Sequence, residues 1–304
     1  MIMENKTKKG FLLVLATACI SGLAIFLNKF GVSMSDPYLF AGLKNIIVGV
    51  FLVGIVLLFN KQIIRTITKK QWLLLLLVGL IGGAIPFLMF FKGLTLTLAV
   101  KAGFIHKSMF LVIAMLSVLF LKTKPSKFVW LGVAALLVGN VLFLNIQPQA
   151  LNLGDALIFG SVLLWSVEIL LSKRLLSELP TNVVAGSRMF FGSVFIWAFL
   201  FITGKTVLVS SLTLTQWGWA GVTAALLIGY VATFYSGLRY ISAIEATSVL
   251  ALGAPITALL TMIFLDKSLS GVAVVGIVFI MFGLFTIFKM QGAKLFQWHL
   301  IKNK

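Results

Sequence analysis

The chain has 304 residues, 61% of them hydrophobic and only 11% charged, with a mean hydropathy of +1.13. A soluble domain carries roughly 25% charge, so these values exclude one and describe a polytopic membrane protein. The formal charge of +18 would point to nucleic acid in a soluble chain, but basic residues also collect in the cytoplasmic loops of membrane proteins, so their placement decides.

The segment Met1 to Gly10 carries Lys6, Lys8 and Lys9 ahead of an apolar run from Phe11, an order that superficially suggests a signal peptide. Ala16-Thr17-Ala18-Cys19 adds a faint lipoprotein-type signal. The run continues through Leu27 without a break and further hydrophobic segments follow, so it reads as a first span rather than a cleaved leader. About 20 apolar residues cross a ~30 Å hydrocarbon core. That criterion predicts ten spans, at 11–32, 37–59, 72–93, 98–121, 128–147, 154–175, 181–203, 217–239, 242–265 and 271–289. Turn signals separate them at Ser35-Asp36-Pro37, Lys124-Pro125-Ser126, Pro148 and Pro180-Thr181. The expected fold is therefore all-α, and no stretch remains for a soluble domain. Cys19 is the single cysteine, so no intramolecular disulfide forms and helix packing must hold the fold.

With a cytoplasmic N-terminus, the inner segments hold Lys6, Lys8, Lys9, Lys61, Arg65, Lys69, Lys70, Lys122, Lys124, Lys127, Lys173, Arg174, Arg239, Lys289, Lys294, Lys302 and Lys304. The outer connections keep Lys92, Lys205 and Lys267, with Lys29 at the end of the first span. This asymmetry places both termini in the cytoplasm, in a cytoplasmic (inner) membrane protein, and accounts for the net charge without nucleic acid. Residues 290–304 form a cytoplasmic tail, in which Lys294 to Lys304, with Phe296 and Trp298, reads as an interfacial anchor and His299 as a solvated residue.

Sliding the chain on itself reveals an internal repeat, with residues 144 apart matching without a gap. Lys29 pairs with Lys173, Ala41-Gly42 with Ala185-Gly186, Val50-Phe51 with Val194-Phe195, and Gly93-Leu94 with Gly237-Leu238. Ala99 and Ala102 pair with Ala243 and Ala246, Phe120-Leu121 with Phe264-Leu265, and Gly132 and Gly139 with Gly276 and Gly283. The halves are 1–150 and 151–289. Each has five spans, an odd number, so the second enters the membrane in the opposite sense to the first. Inverted repeats of this kind build midplane sites in many secondary transporters.

The stretch Ile241 to Leu284 resembles the closing segment of an EamA-type half, which places the chain by resemblance in the drug/metabolite transporter superfamily. Ala41-Gly42-Leu43-Lys44 and Ala185-Gly186-Ser187-Arg188 resemble the family's basic position early in the second helix of each half. The chain departs from the family after Leu121 and Leu265, with Lys122-Thr123 and Asp266-Lys267 where Gly-Glu or Lys-Glu is common. The resemblance implies a central cavity between the halves, with the fourth and ninth helices crossing near it and the fifth and tenth more peripheral. Gly79 and Gly83 form a GxxxG pair which, with Gly132, Gly139, Gly276 and Gly283, suits close helix packing. Pro86 and Pro255 interrupt hydrogen bonding in the third and ninth spans and mark kinks or hinges.

A charge at the centre of a bilayer costs ~2.5 kcal/mol or more, so ionisable residues inside spans are candidate site residues. Lys44 and Arg188 recur in both halves and read either as scaffold charges or as part of the pathway. His106, Lys107 and Glu168 do not recur, since their equivalents are Leu250, Ala251 and Ala24. Lys107 reads as a substrate contact exposed to the central cavity, or as the partner of Glu168 in a buried ion pair. His106 is a binding or a packing histidine, and Glu168 and His106 are the groups able to couple transport to protons. Trp165, Tyr230 and Tyr235, with polar handles, and Phe104 are the aromatic candidates for the cavity wall.

No HExxH motif, Cys/His ligand cluster or GxxxxGK[ST] phosphate loop occurs, so no catalysis, metal or cofactor is expected. The partners expected are a small-molecule solute and the lipid bilayer, and the oligomeric state is not readable. Three buried cations against Glu168 favour a small anionic or zwitterionic metabolite, such as an amino acid or organic acid, carried by a secondary transporter and exporter. The competing readings are a flippase or exporter of lipid-linked or drug-like solutes and a membrane sensor without transport.

Overall fold

The structure, a computed structural model, describes residues 2–119, 126–144, 151–264 and 270–302, with side chains described except at 2–4 and 289–302. Ten helices in it are long and apolar enough to cross a membrane: α1 (Asn5–Ser33), α2 (Pro37–Phe59), α3 (Lys69–Leu96), α4 (Ala99–Leu119), α5 (Lys127–Leu144), α6 (Leu153–Glu178), α7 (Thr181–Ile202), α8 (Leu214–Tyr240), α9 (Ala243–Phe264) and α10 (Gly271–Phe288). The helix of α10 continues to Lys302. The expected turn residues Lys124, Pro125 and Pro148, the family departures at Lys122-Thr123 and Asp266-Lys267, and the side chains of the tail anchor and His299 lie outside the described residues.

Several helices begin earlier than hydropathy alone indicates, because polar caps extend them. Thr68 and Gln71 form a reciprocal capping box at the start of α3, and Thr213 and Gln216 form the same box at the start of α8. Each box satisfies two amide groups that a helix start would otherwise leave without partners.

Contacts between the halves are reciprocal, as a two-fold axis in the membrane plane requires. Gln71 donates to Glu178 at the end of α6, and Gln216 donates to the Met34 carbonyl just after α1. Helix α1 packs on α8, and α6 on α3, while α2 pairs with α7 and α5 with α10. The pairings rest on backbone contact at small residues. A Cβ on Gly139 would lie 2.8 Å from the Gly276 carbonyl, and one on Gly283 would lie 2.7 Å from that of Gly132. The α2/α7 pair is tied at both ends, by Lys205 to Asp36 at 2.6 Å and by a side-chain hydrogen bond between Asn182 and Asn60.

Lys29 and Lys173, the first matched pair of the repeat, do the same work in each half. Lys29 donates to the carbonyls of Leu94 and Thr97 at 2.6 and 2.7 Å, and Lys173 to those of Leu238 and Ile241 at 2.6 and 2.8 Å. These carbonyls lie where α3 ends before α4, and where α8 ends before α9. A cation at a helix C-terminus also complements the helix dipole.

The expectation of an ungapped repeat needs correction. Thr68, Gln71 and Trp72 match Thr213, Gln216 and Trp217 at a spacing of 145, and the spacing returns to 144 at Gly93 and Gly237. Helix α3 therefore holds one residue more than α8 over this stretch. A π-helical turn, Gly79–Ala84, absorbs it by winding the extra residue into the helix. Pro86 follows immediately and has no N–H for the Gly82 carbonyl four residues earlier; the Trp165 indole donates to that carbonyl at 2.8 Å.

Two spans expected to be continuous are broken. Helix α4 divides into Ala99–Lys107 and Met109–Leu119, and α9 into Ala243–Leu250 and Gly253–Phe264. The breaks fall at equivalent positions of the repeat. Ser108 at the first bonds its hydroxyl back to the Phe104 carbonyl, and Pro255 just beyond the second cannot extend the hydrogen-bond ladder of the preceding segment.

The packing of the π-turn on α7 generates a prediction. A Cβ on Gly83 would collide with the Arg188 carbonyl and lie 2.8 Å from the Gly192 Cα, whereas one on Gly54 would meet nothing within 4 Å. Gly83→Val is expected to cost about 3 kcal/mol of stability or more, since backbone rather than a pliable side chain must yield. Gly54→Ala is expected to be neutral, with both read from thermal unfolding of detergent-solubilised protein.

Candidate functional site

A cavity of about 80 Å³ opens between the halves, lined by α1, α2, α3, α4, α6, α7 and α8. The wall is rich in aromatic rings. Phe87 and Phe90 pack edge-on or tilted against Trp165 at 5.5 and 5.6 Å between ring centroids, and His106 meets Trp165 at 5.1 Å. Tyr230 stacks on Phe234 at 5.7 Å on the opposite side.

Three charged residues line this wall: Lys44, Glu168 and Arg188. Glu168, 1% exposed, accepts hydrogen bonds from the Ser172 and Tyr235 hydroxyls, and its second oxygen lies 3.6 Å from Arg188 Nε. The guanidinium keeps donors to spare, because Nε makes no hydrogen bond and Nη1 reaches only the Met189 sulfur at 3.9 Å. Lys44 is also buried, at 2% exposure, but it faces a neutral partner. Its ammonium donates to Asn28 Oδ1 at 2.7 Å and lies over the rings of Phe91 and Phe40 at 4.8 and 5.5 Å. Among the described residues no carboxylate lies within ion-pairing distance of Lys44. His106 borders the cavity with its Nδ1 unpartnered.

Lys107 and Phe104 stand apart from this group. Lys107 is 2% exposed and donates to the Ser21 hydroxyl between α1 and the break in α9, with Gly253 against its side chain. It is not a cavity-lining residue, and it does not pair with Glu168, whose partner is Arg188. The reason is rotation: successive helical residues are ~100° apart, so turning His106 to the cavity turns Lys107 behind its wall. Phe104 is half-buried outside the lining. Helix α9, expected to cross near the cavity, contributes no lining residue, while α5 and α10 are peripheral.

Sequence reasoning missed Asn28, Ser21, Thr223 and the Phe87–Phe90–Phe91 cluster. The repeat held the signal for Asn28, which pairs with Ser172, and for Phe91, which pairs with Tyr235.

The EamA-like transporter family matches residues 8–145 and again 152–289, so that its two copies are offset by the same 144 residues as the internal repeat. The chain belongs to the EamA-like transporter family. Its two EamA-like halves enclose the cavity. An uncharacterized transporter of Methanothermobacter thermautotrophicus is 26% identical over 183 residues, 55% of this chain. The match covers 53% of that relative, so the chain spans about half the length of the relative it matches. A solved structure described only as the crystal structure of a protein has the same fold, with a TM-score of 0.66 at 18% identity over 93% of this chain and 96% of the other.

In this EamA-like pair of halves, breaking the Arg188 to Glu168 contact strands a buried charge. Glu168→Ala is expected to lower stability by about 3–5 kcal/mol, whereas the double variant Glu168→Leu with Arg188→Met recovers most of the loss. Thermal unfolding of the single and double variants measures the difference.

Proposed function

We propose that the protein is a secondary transporter of the cytoplasmic membrane, acting as an exporter, that carries a small anionic or zwitterionic metabolite such as an amino acid or organic acid by alternating access. The observation that carries this reading is the charge of the cavity wall. Lys44 and Arg188 against Glu168 leave an excess of one positive charge in an enclosure rich in aromatic rings. A buried cation without a counter-charge is costly, and an anionic solute supplies that charge while it is bound. The inverted repeat and the paired helix breaks support alternating access, because secondary transporters built this way rock one bundle against the other around a midplane site. The basic residues of the intervening loops favour cytoplasmic termini.

Reconstituted protein should move anionic or zwitterionic solutes, and Lys44→Met should lower that flux by at least about tenfold, since a charge-assisted hydrogen bond contributes about 1.5–3 kcal/mol. Lys44→Arg should retain part of it. Carriage of hydrophobic cations alone would refute the reading.

Proton coupling rests on Glu168 and His106. Protonating Glu168 releases Arg188 from its only carboxylate among the described residues. Glu168→Gln should therefore keep the fold while flattening the pH dependence of flux. An unchanged profile in both Glu168→Gln and His106→Gln would remove these residues from coupling.

A further inference from the structure

The two halves place equivalent residues around the cavity, and at one of these positions only the second half carries a carboxylate. In the second half, Arg188 of α7, Ser172 of α6 and Tyr235 of α8 surround the carboxylate of Glu168. The repeat maps these residues onto Lys44 of α2, Asn28 of α1 and Phe91 of α3, and maps Glu168 onto Ala24. The first-half group assembles in the same way. Lys44 bonds Asn28 as noted, and its ammonium sits over Phe91 much as the Arg188 guanidinium sits over Tyr235, at 5.8 Å. Where the second half has a carboxylate, the first half has the methyl group of Ala24, and Ala24 lines the cavity.

We infer that the carboxylate of the transported solute binds in the first half at the place that Glu168 fills in the second, against Ala24, on Lys44 Nζ and the Asn28 side-chain amide. Glu168 is then an internal copy of the ligand's anion. The inference rests on the reading of the protein as a carrier of anions and deepens it, naming the chemical class as carboxylate and the subsite by residue. Asn28 suits the role better than a second serine would. Its Oδ1 accepts from Lys44, leaving Nδ2 to donate to the incoming oxygen, while Ser172 has a single proton and gives it to Glu168. The rest of the solute faces Phe87, Phe90 and Trp165, so an apolar or aromatic body fits beyond the carboxylate.

The test installs the missing carboxylate. Ala24→Glu is compared with Ala24→Gln, which has the same bulk without the charge, each with Lys44 and with Lys44→Met. Phenylacetate and phenylacetamide serve as probes that differ in charge but share an aromatic body. The expected result is that Ala24→Glu unfolds several degrees above Ala24→Gln when Lys44 is present and not when it is Met. Phenylacetate, and not phenylacetamide, should stabilise the unmodified protein against heat, and Ala24→Glu should abolish that effect. Equal unfolding temperatures for Ala24→Glu and Ala24→Gln in the presence of Lys44 would overturn the subsite. So would phenylacetate binding to Ala24→Glu at undiminished affinity, and in that outcome the wider reading of anion transport survives. If the unmodified protein carries no anion in liposomes, both fall together.

Discussion

Inside a bilayer every carbonyl that a helix releases must find a donor, and this constraint organises the molecule. The third and eighth helices end at short connections, and the fourth and ninth break within their spans. Lys29 and Lys173 answer the first of these demands with their ammonium groups, and the Trp165 indole answers the gap left by Pro86. The donors are placed by the repeat itself, so a duplicated half brings its own solution with it. Trp165 is the exception. It crosses from one half to the other, and its ring packs against Phe87, Phe90 and His106 in the cavity wall.

Burial of charge follows the same logic with a different result in each half. The second half neutralises its basic residue internally, through Glu168, whose carboxylate also accepts from two hydroxyls. The first half leaves Lys44 with an amide and two aromatic faces, which lower the cost of a desolvated cation without cancelling it. Symmetry in the backbone thus coexists with asymmetry in charge, and around the cavity's two basic residues that asymmetry lies in the pair Ala24 and Glu168.

The ten spans, the duplication and the basic pair Lys44 and Arg188 were readable from the sequence because each depends on length, apolarity or spacing alone. The helix breaks were not. Ser108 and the Ala251-Leu252 turn sit in runs whose hydropathy is continuous, and only the path of the backbone reveals that the ladder stops. Lys107 and Lys44 look alike in sequence, as lone cations in apolar segments. Which of them meets the cavity depends on the rotation of each helix, fixed by packing at Gly253 for one and beside Asn28 for the other. The π-turn is the reverse case. Two capping boxes 145 residues apart, followed by glycines 144 apart, record the extra residue in plain sequence, but the record is read only once both caps are recognised.

The ties at the two ends of the α2/α7 pair set a mechanical condition. Lys205 holds Asp36 beside the start of α2, and Asn182 holds Asn60 beside its end, one membrane thickness away. A seam stitched at top and bottom cannot gape at either edge while both stitches hold. Any motion that admits a solute to the cavity must therefore either swing the other helices around this seam as a common spine, or cut one stitch while the second stays fastened.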